Sequence, residues 1–564
     1  QGTEAIFTSQ APSNIGTETA DYGMVKAYEN GLYFDGKYYF APSTSTGAGT
    51  EGDPYIIGTT GQWDTFAAYV SNGTDNYSGK FLLLAADISV STMMGASEAN
   101  SFQGTFLGNN HTLTFTQGTA GSAFGQQNCA PFRFVKGATI RDLNVAGDIY
   151  TSQKFAAGLI AYSYGTTSVT NCHVATVIYS TVSGDGTHGG IIAMPGGTLS
   201  IEGCAYTGRL LTNKGTNNCG GFVAWHNDAT ISISNSLYAP GGSIPEGWSA
   251  INAGTTFVRD GSPTITRCYY TEPMGTAQAT QAIAVATDDG LGDQVQAYST
   301  LTIYQNGILC DGNYYKEAAT LSGEGTEAEP YLINNEFEWR SFAAYVNNGN
   351  TYSGKFVRLT DDITASKTVG QRDDNPFSGT FLGNNHTITA NIVSTTTGTG
   401  VNEQGVAPFH YIKNATIKNL TVGGTIASAS YHTAGLVGFA DGTNLIEGCA
   451  VTATINVSSN YAGGIVGHGQ NSTTTIRGCA FTGTINGVGG NRSNIGGIWG
   501  WSTSGTPTLE YCLEAGTYTG IASMHPMGLQ QAAGTITGCY YVTPQIGRPS
   551  NVCTVSGAKQ AYTA

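Results

Sequence analysis

The sequence predicts an all-β protein of two tandem right-handed parallel β-helix units, each with a short N-terminal capping helix. Three observations carry that reading: a duplication spanning nearly the whole chain, a shorter period of about 30 residues inside each half, and a composition poor in charge and rich in turn residues. Only 11% of the 564 residues are charged and 79 are glycine, against usual levels of ~25% charged and ~7% glycine. Apolar residues at 40% still allow a sizeable core. The net charge of −15 argues against a nucleic-acid partner, because phosphate binding needs clustered Lys and Arg. No apolar run approaches the ~18 residues of a membrane span. Gln1 is compatible with a mature N-terminus left after removal of a signal peptide.

The duplication is read directly. GTEGDPYII (49–57) returns as GTEAEPYLI (325–333), FAAYVSNG (66–73) as FAAYVNNG (342–349), and FQGTFLGNNHTLT (102–114) as FSGTFLGNNHTIT (377–389). YENGLYFDGKYY (28–39) and YQNGILCDGNYY (304–315) open the two halves. The expected division is an N-terminal segment 1–25, a first β-helical unit 26–270, a linker 271–299 without clear strand or helix period, a second unit 300–541, and a C-terminal segment 542–564.

Inside each half a ladder recurs. Cys172, Cys204, Ser236 and Cys268 are 32 residues apart; Cys449, Cys479, Cys512 and Cys539 follow at 30, 33 and 27. Each rung has a β-rich approach, such as TSVTNC or TTIRGC. Between rungs runs a second strand motif: AGLIAY, GGIIAM and GGFVAW in the first half, AGLVGF, GGIVGH and GGIWGW in the second. One coil cannot bury its own apolar side chains, and stacking coils at the ~4.8 Å strand spacing turns equivalent residues into ladders. A propeller is disfavoured by the scarcity of Asn-Gly and Asp-Gly hairpin signals. Residues 62–70 and 336–346 place Trp, Phe and Val on one helical face. Asn334 or Asn335 can cap the second helix and Gly349 end it. Each helix is expected to plug the open end of a coil stack.

The run DPYII…FAAYV…YSGKF…FQGTFLGNNHTL, followed by repeated AGLVG and GGIVG segments, resembles GLUG-motif proteins over roughly 45–270 and 320–541. The resemblance implies right-handed parallel β-helices of bacterial surface and secreted proteins, some described as adhesin-like. Similar segments sit in the non-catalytic part of immunoglobulin-A-peptidase-like proteins. The H-E-x-x-H metalloprotease signature is absent, so no peptidase activity carries over.

Catalytic motifs are sparse: no G-x-S-x-G, no Walker A and no C-x-x-C pair occurs, and GDGTHG (184–189) lacks the strand–helix setting of a dinucleotide loop. Asp288, Asp289 and Asp293 around Gly290 form a weak calcium candidate without EF-hand spacing; no other cofactor is implied. Asp361/Asp362 and Asp373/Asp374 are further acidic pairs. Asp87 and Asp362, each after a strand, read as turn or cap residues, and His111 and His386 in GNNHT as braces of a left-handed Asn-Asn turn. Of the eleven cysteines, the seven on the ladder rungs read as small buried reduced residues rather than disulfides, because equivalent side chains on successive coils point the same way.

One column is a binding candidate. After G-Φ-Φ-(Ala/Gly) come Tyr162, Met194 and Trp225, then Phe439, His468 and Trp501. Stacked rings suit a sugar or a protein surface; the alternative is a packed corner, since Ile160, Ile192, Val223, Val437, Val466 and Trp499 lie two positions earlier on the same strands. The expected function is a non-catalytic, exported, cell-surface or secreted scaffold of adhesin type that binds glycan or a host or cell-surface protein. The rivals are a polysaccharide lyase or hydrolase, which would need converging carboxylates on a coil face, and a passive stalk.

Overall fold

Strands mostly of two to five residues, with a few of eight to twelve in the second unit, make the coils, and their burial alternates because successive side chains leave opposite faces of a strand. Thr139–Arg141 and Thr416–Lys418 each bury their central isoleucine between two half-buried residues. The computed structural model describes residues 5–371, 375–394, 404–490, 492–530, 534–543 and 559–560. The chain packs as two compact units, Gln1–Glu317 and Ala318–Ala564, and each contains a parallel β-solenoid.

In the first unit one parallel wall runs from Tyr55–Ile57 to Thr264–Thr266. Its inner ladder reads Phe106, Ile140, Val169, Ile201, Ile233, Ile265 in strict register. A second wall runs from Ile88–Val90 to Tyr269–Tyr270. The second unit repeats the first wall, with Phe381, Ile417, Ile446, Ile476, Leu509 and Ile536 as its ladder. The ~30-residue period therefore corresponds to one turn of the solenoid.

The cysteine rungs are buried, and none of the ten described cysteines forms a disulfide. Each rung donates to the carbonyl two residues earlier: Cys172 Sγ to Thr170 O at 3.4 Å, Cys204 to Glu202 O at 3.4 Å, Cys479 to Arg477 O at 3.3 Å. Ser236 makes the same bond, to Ser234 O at 2.7 Å. A small donor is what the site requires, so Ser and Cys interchange there.

The residue before each rung is left-handed: Asn171, Gly203, Asn235 and Arg267 at φ 48–60°, Gly448, Gly478, Tyr511 and Gly538 at φ 55–65°. Glycine and asparagine adopt this region readily, other L residues at a cost. Tyr511 is 68% exposed and so gains little from packing. Tyr511→Gly is expected to raise stability by about 1 kcal/mol, read as a higher urea midpoint of the full chain; an unchanged or lower midpoint contradicts this account of the turn.

The helices span Thr60–Ser71 and Glu336–Asn347, a little longer than expected, and are capped by Thr59 and Asn335. Asn335 Oδ1 accepts from Glu338 N at 2.9 Å while Glu338 Oε2 accepts from Asn334 N at 2.7 Å, a reciprocal capping arrangement. Trp63 and Trp339 are fully buried at the start of their stacks. Trp63 meets Phe106 and Phe132 edge-on at 6.0 and 5.6 Å, and Trp339 meets Phe381 and Phe409 at 5.9 and 5.7 Å.

Three expectations are corrected. Residues 26–40, counted with the first coils, belong to a five-stranded antiparallel sheet, Ile6–Thr8 to Lys37–Phe40; coils begin at Tyr55. Residues 301–317, counted with the second unit, form an antiparallel meander that pairs with Thr280–Val285 and packs within the first. The segment 271–299 is not without regular structure, since it carries Thr280–Val285 and Gln294–Ala297. The turns explain the meanders: Asp35–Gly36 and Asp311–Gly312 are left-handed at both residues, the two-residue geometry that matches strand twist. A fragment starting at 300 would strip the meander of its partner strand, whereas a cut after Glu317 follows the packing. Apart from Val542, Thr543 and 559–560, the C-terminal segment 542–564 lies outside the described residues, as do Asp373 and Asp374.

Candidate functional site

The ring column exists as a column. Phe134 pairs with Tyr162 and Tyr162 with Met194; Trp225 takes the next rung, its N–H donating to Ala193 O at 3.0 Å. In the second unit Tyr411, Phe439, His468 and Trp501 are consecutive partners. Ile160, Ile192, Val223, Val437, Val466 and Trp499 fill the cores, but none of the six column residues belongs to those clusters.

The halves differ in access. Trp225 is 37% exposed and Tyr162 is half-buried. Tyr162 stacks on Phe134 and Tyr164, with centroids 6.1 and 4.4 Å apart, and Trp225 lies parallel to Phe155 at 6.5 Å. Phe439 is 0% and His468 5% exposed, which removes both from the surface reading; Met194 is also buried and Trp501 half-buried. His468 packs against Phe439 at 5.0 Å and His432 at 4.3 Å, and Trp501 against Tyr461 at 4.6 Å.

The residue before each ring also differs between the units. The position before each ring is Ala161, Ala193 and Ala224 in the first unit but Gly438, Gly467 and Gly500 in the second. A Cβ on Gly438 would stand 1.6 Å from Gly405 O, and one on Gly467 2.0 Å from His432 O. The glycines thus let the segment at Gly405 and His432 press down over the rings. In the first unit the alanine methyls of 161 and 193 pack with Ala130 and Ala157.

The other sequence candidates resolve as follows. His111 Nδ1 lies 3.0 Å from Asp87 Oδ1, which also accepts from Thr112 N at 2.9 Å; His386, Asp362 and Thr387 repeat this at 3.3 and 2.8 Å. Asn109, Asn110, Asn384 and Asn385 are left-handed at φ 51–64°. These groups brace turns, and the Thr112 N–H, helped by His111, holds the Asp87 carboxyl below its usual range. The calcium candidate does not assemble: Asp288, Asp289 and Asp293 are exposed on a turn closed by Leu291 N to Asp288 O, and Asp293 faces Gln305 at 3.4 Å. Among the described residues, potential metal-ligand atoms converge instead at His173, Cys310 and Asp311, a trio the sequence reading missed. Burial pushes the Cys310 thiol up to about 12 and the His173 imidazole down, Asp311 opposing the latter.

Some coil-face carboxylates among the described residues sit in ion pairs between neighbouring coils. Glu447 and Glu510 flank Arg477, whose Nε is 2.7 Å from Glu510 and whose Nη1 is 3.7 Å from Glu447. Two surface clefts of about 280 Å³ are each lined by one carboxylate, Asp311 in the first and Asp75 in the second.

No family model matches the chain. A stretch of 202 aligned residues is 28% identical to halomucin of Haloquadratum walsbyi, covering 31% of this chain and 2% of that protein. Among solved structures, a candidate immunoglobulin A1 protease from Bacteroides ovatus aligns with a TM-score of 0.32 at 16% identity, covering 42% of this chain and 86% of that one.

Proposed function

We propose that the protein is a non-catalytic, exported scaffold of adhesin type whose first unit binds glycan or a protein surface through the ladder of Tyr162 and Trp225. The observation that carries this reading is the ring pair itself: Tyr162 and Trp225 lie two coils apart in one column, with Met194 on the rung between, outside the core clusters, and Trp225 is 37% exposed. Aromatic faces pack against the C–H faces of sugars, and their geometry costs little entropy to hold. Asn227 Nδ2, 3.3 Å from the Tyr162 hydroxyl, places an amide at the edge of the same patch. The resemblance to GLUG-motif surface proteins and the partial likeness to halomucin support export to the cell surface.

A glycan array probed with the intact protein tests the proposal. Trp225→Ala with Tyr162→Ala is expected to abolish the signal while shifting stability by only about 0.5–1 kcal/mol. Undiminished binding by that double variant, or no glycan or cell-surface protein bound by the intact chain, would overturn it.

A further inference from the structure

The meander that closes the first unit carries chemistry that the coils lack. Its Asp311–Gly312 turn brings Cys310 and Asp311 against His173, the outward residue of strand His173–Val174. One ligand-type atom from each of the three lies within 4.8 Å of the other two. His173 Nδ1 stands 3.4 Å from Asp311 Oδ2. Its Nε2 is 2.7 Å from Thr207 Oγ1, so the hydroxyl orients the ring and leaves Nδ1 on the side of the carboxylate. Cys310 is 2% exposed, among Leu301, Ile303 and Ile308 of the meander.

The duplicate hairpin sharpens the point. It reads Tyr33-Phe34-Asp35-Gly36 where this one reads Leu309-Cys310-Asp311-Gly312. Asp and Gly follow from the turn in both copies, whereas the thiol replaces a phenyl ring at the copy that faces an imidazole. Asp311 also borders the polar cleft of about 280 Å³, with Asn110, Asn144, Tyr298, Ser299 and Thr300 on its walls.

We propose that His173, Cys310 and Asp311 bind a divalent transition metal, zinc by preference, with the fourth coordination position turned to this cleft and filled by water. A mixed nitrogen, sulfur and oxygen set suits zinc, while calcium and magnesium select oxygen alone. Binding displaces the thiol proton to solvent as the metal–sulfur bond forms, and no redox change is involved. The ion would tie the meander to the coil wall across a sequence separation of 137 residues.

The test is a cobalt titration of the full chain after chelator treatment. One equivalent of Co²⁺ is expected to give a thiolate charge-transfer band that Zn²⁺ abolishes. Cys310→Ser should remove the band, and His173→Ala and Asp311→Asn should each weaken affinity at least about tenfold. Zn²⁺ should raise the melting temperature of the parent protein and not that of Cys310→Ser. No band in the folded parent protein overturns the site, as does a band that survives Cys310→Ser. Should Cys310→Ser not fold, Asp311→Asn decides: the residue is exposed, and unchanged cobalt affinity there overturns the three-ligand arrangement.

Discussion

Replacing Trp339 by alanine is expected to destabilise the second unit by about 3–5 kcal/mol, the range for emptying a buried aromatic site. The ring is 0% exposed and sits where helix and first coils meet, edge-on to Phe342, Phe381 and Phe409 at 5.7–5.9 Å. Its Nε1–H donates to Lys367 O at 2.8 Å, so truncation also leaves a carbonyl short of its partner. The helix is held against sliding into the void, because Ser366 Oγ donates to Glu336 Oε1 at its start (2.6 Å), and at its end Asn347 donates to Thr368 O (3.1 Å) and accepts from Gly370 N (2.8 Å). Denaturant unfolding of the full chain, followed by far-ultraviolet circular dichroism, should show the corresponding transition at much lower urea. A loss below about 1 kcal/mol would mean that the helix decorates the stack rather than closing it.

Much of this architecture was legible because stacking forces equivalence. A rung that must be small, buried and able to donate to a carbonyl leaves a Cys/Ser mark every turn, and the two Asn before His111 and His386 announce left-handed residues. The meanders were legible too, in the Asn-Gly and Asp-Gly pairs of 28–39 and 304–315, but the duplication drew those stretches into the coils. The ring column was read as one candidate surface with a packed corner as its alternative, and nothing in the repeat pattern divided its two halves. The burial of Phe439 depends on the segment at Gly405, which lies close over Gly438 and the Phe439 ring and is placed there only by the folded chain. His173 and Cys310 could not be joined from sequence, because nothing periodic links a coil strand to the meander folded over it. Three-dimensional return of the chain, not local preference, makes that contact.

The rung account makes a sharper demand at Cys204, where serine and aspartate should behave in opposite ways. The thiol is fully buried, with Glu202 O at 3.4 Å and Val169 O at 3.6 Å. Both neighbours are acceptors, so the site rewards a donor. Cys204→Ser supplies one, as Ser236 does a coil later, and is expected to cost about 1 kcal/mol or less. Cys204→Asp places an acceptor-only carboxylate against two carbonyl oxygens in an apolar stack, at an expected cost above about 4 kcal/mol. The cost should also depend on pH with a definite sign. Burial raises the introduced carboxyl above its unfolded value of about 3.9, so the folded state binds the proton more tightly and the variant loses stability as pH rises. Its deficit relative to the parent should be largest at neutral pH and shrink as pH falls toward 4, where the protonated group can donate as the thiol does. Urea midpoints of the three proteins at pH 7.5 and pH 4.5 supply the measurement. Equal losses for serine and aspartate, or a deficit that grows on acidification, would remove the donor requirement as the reason for the cysteine ladder.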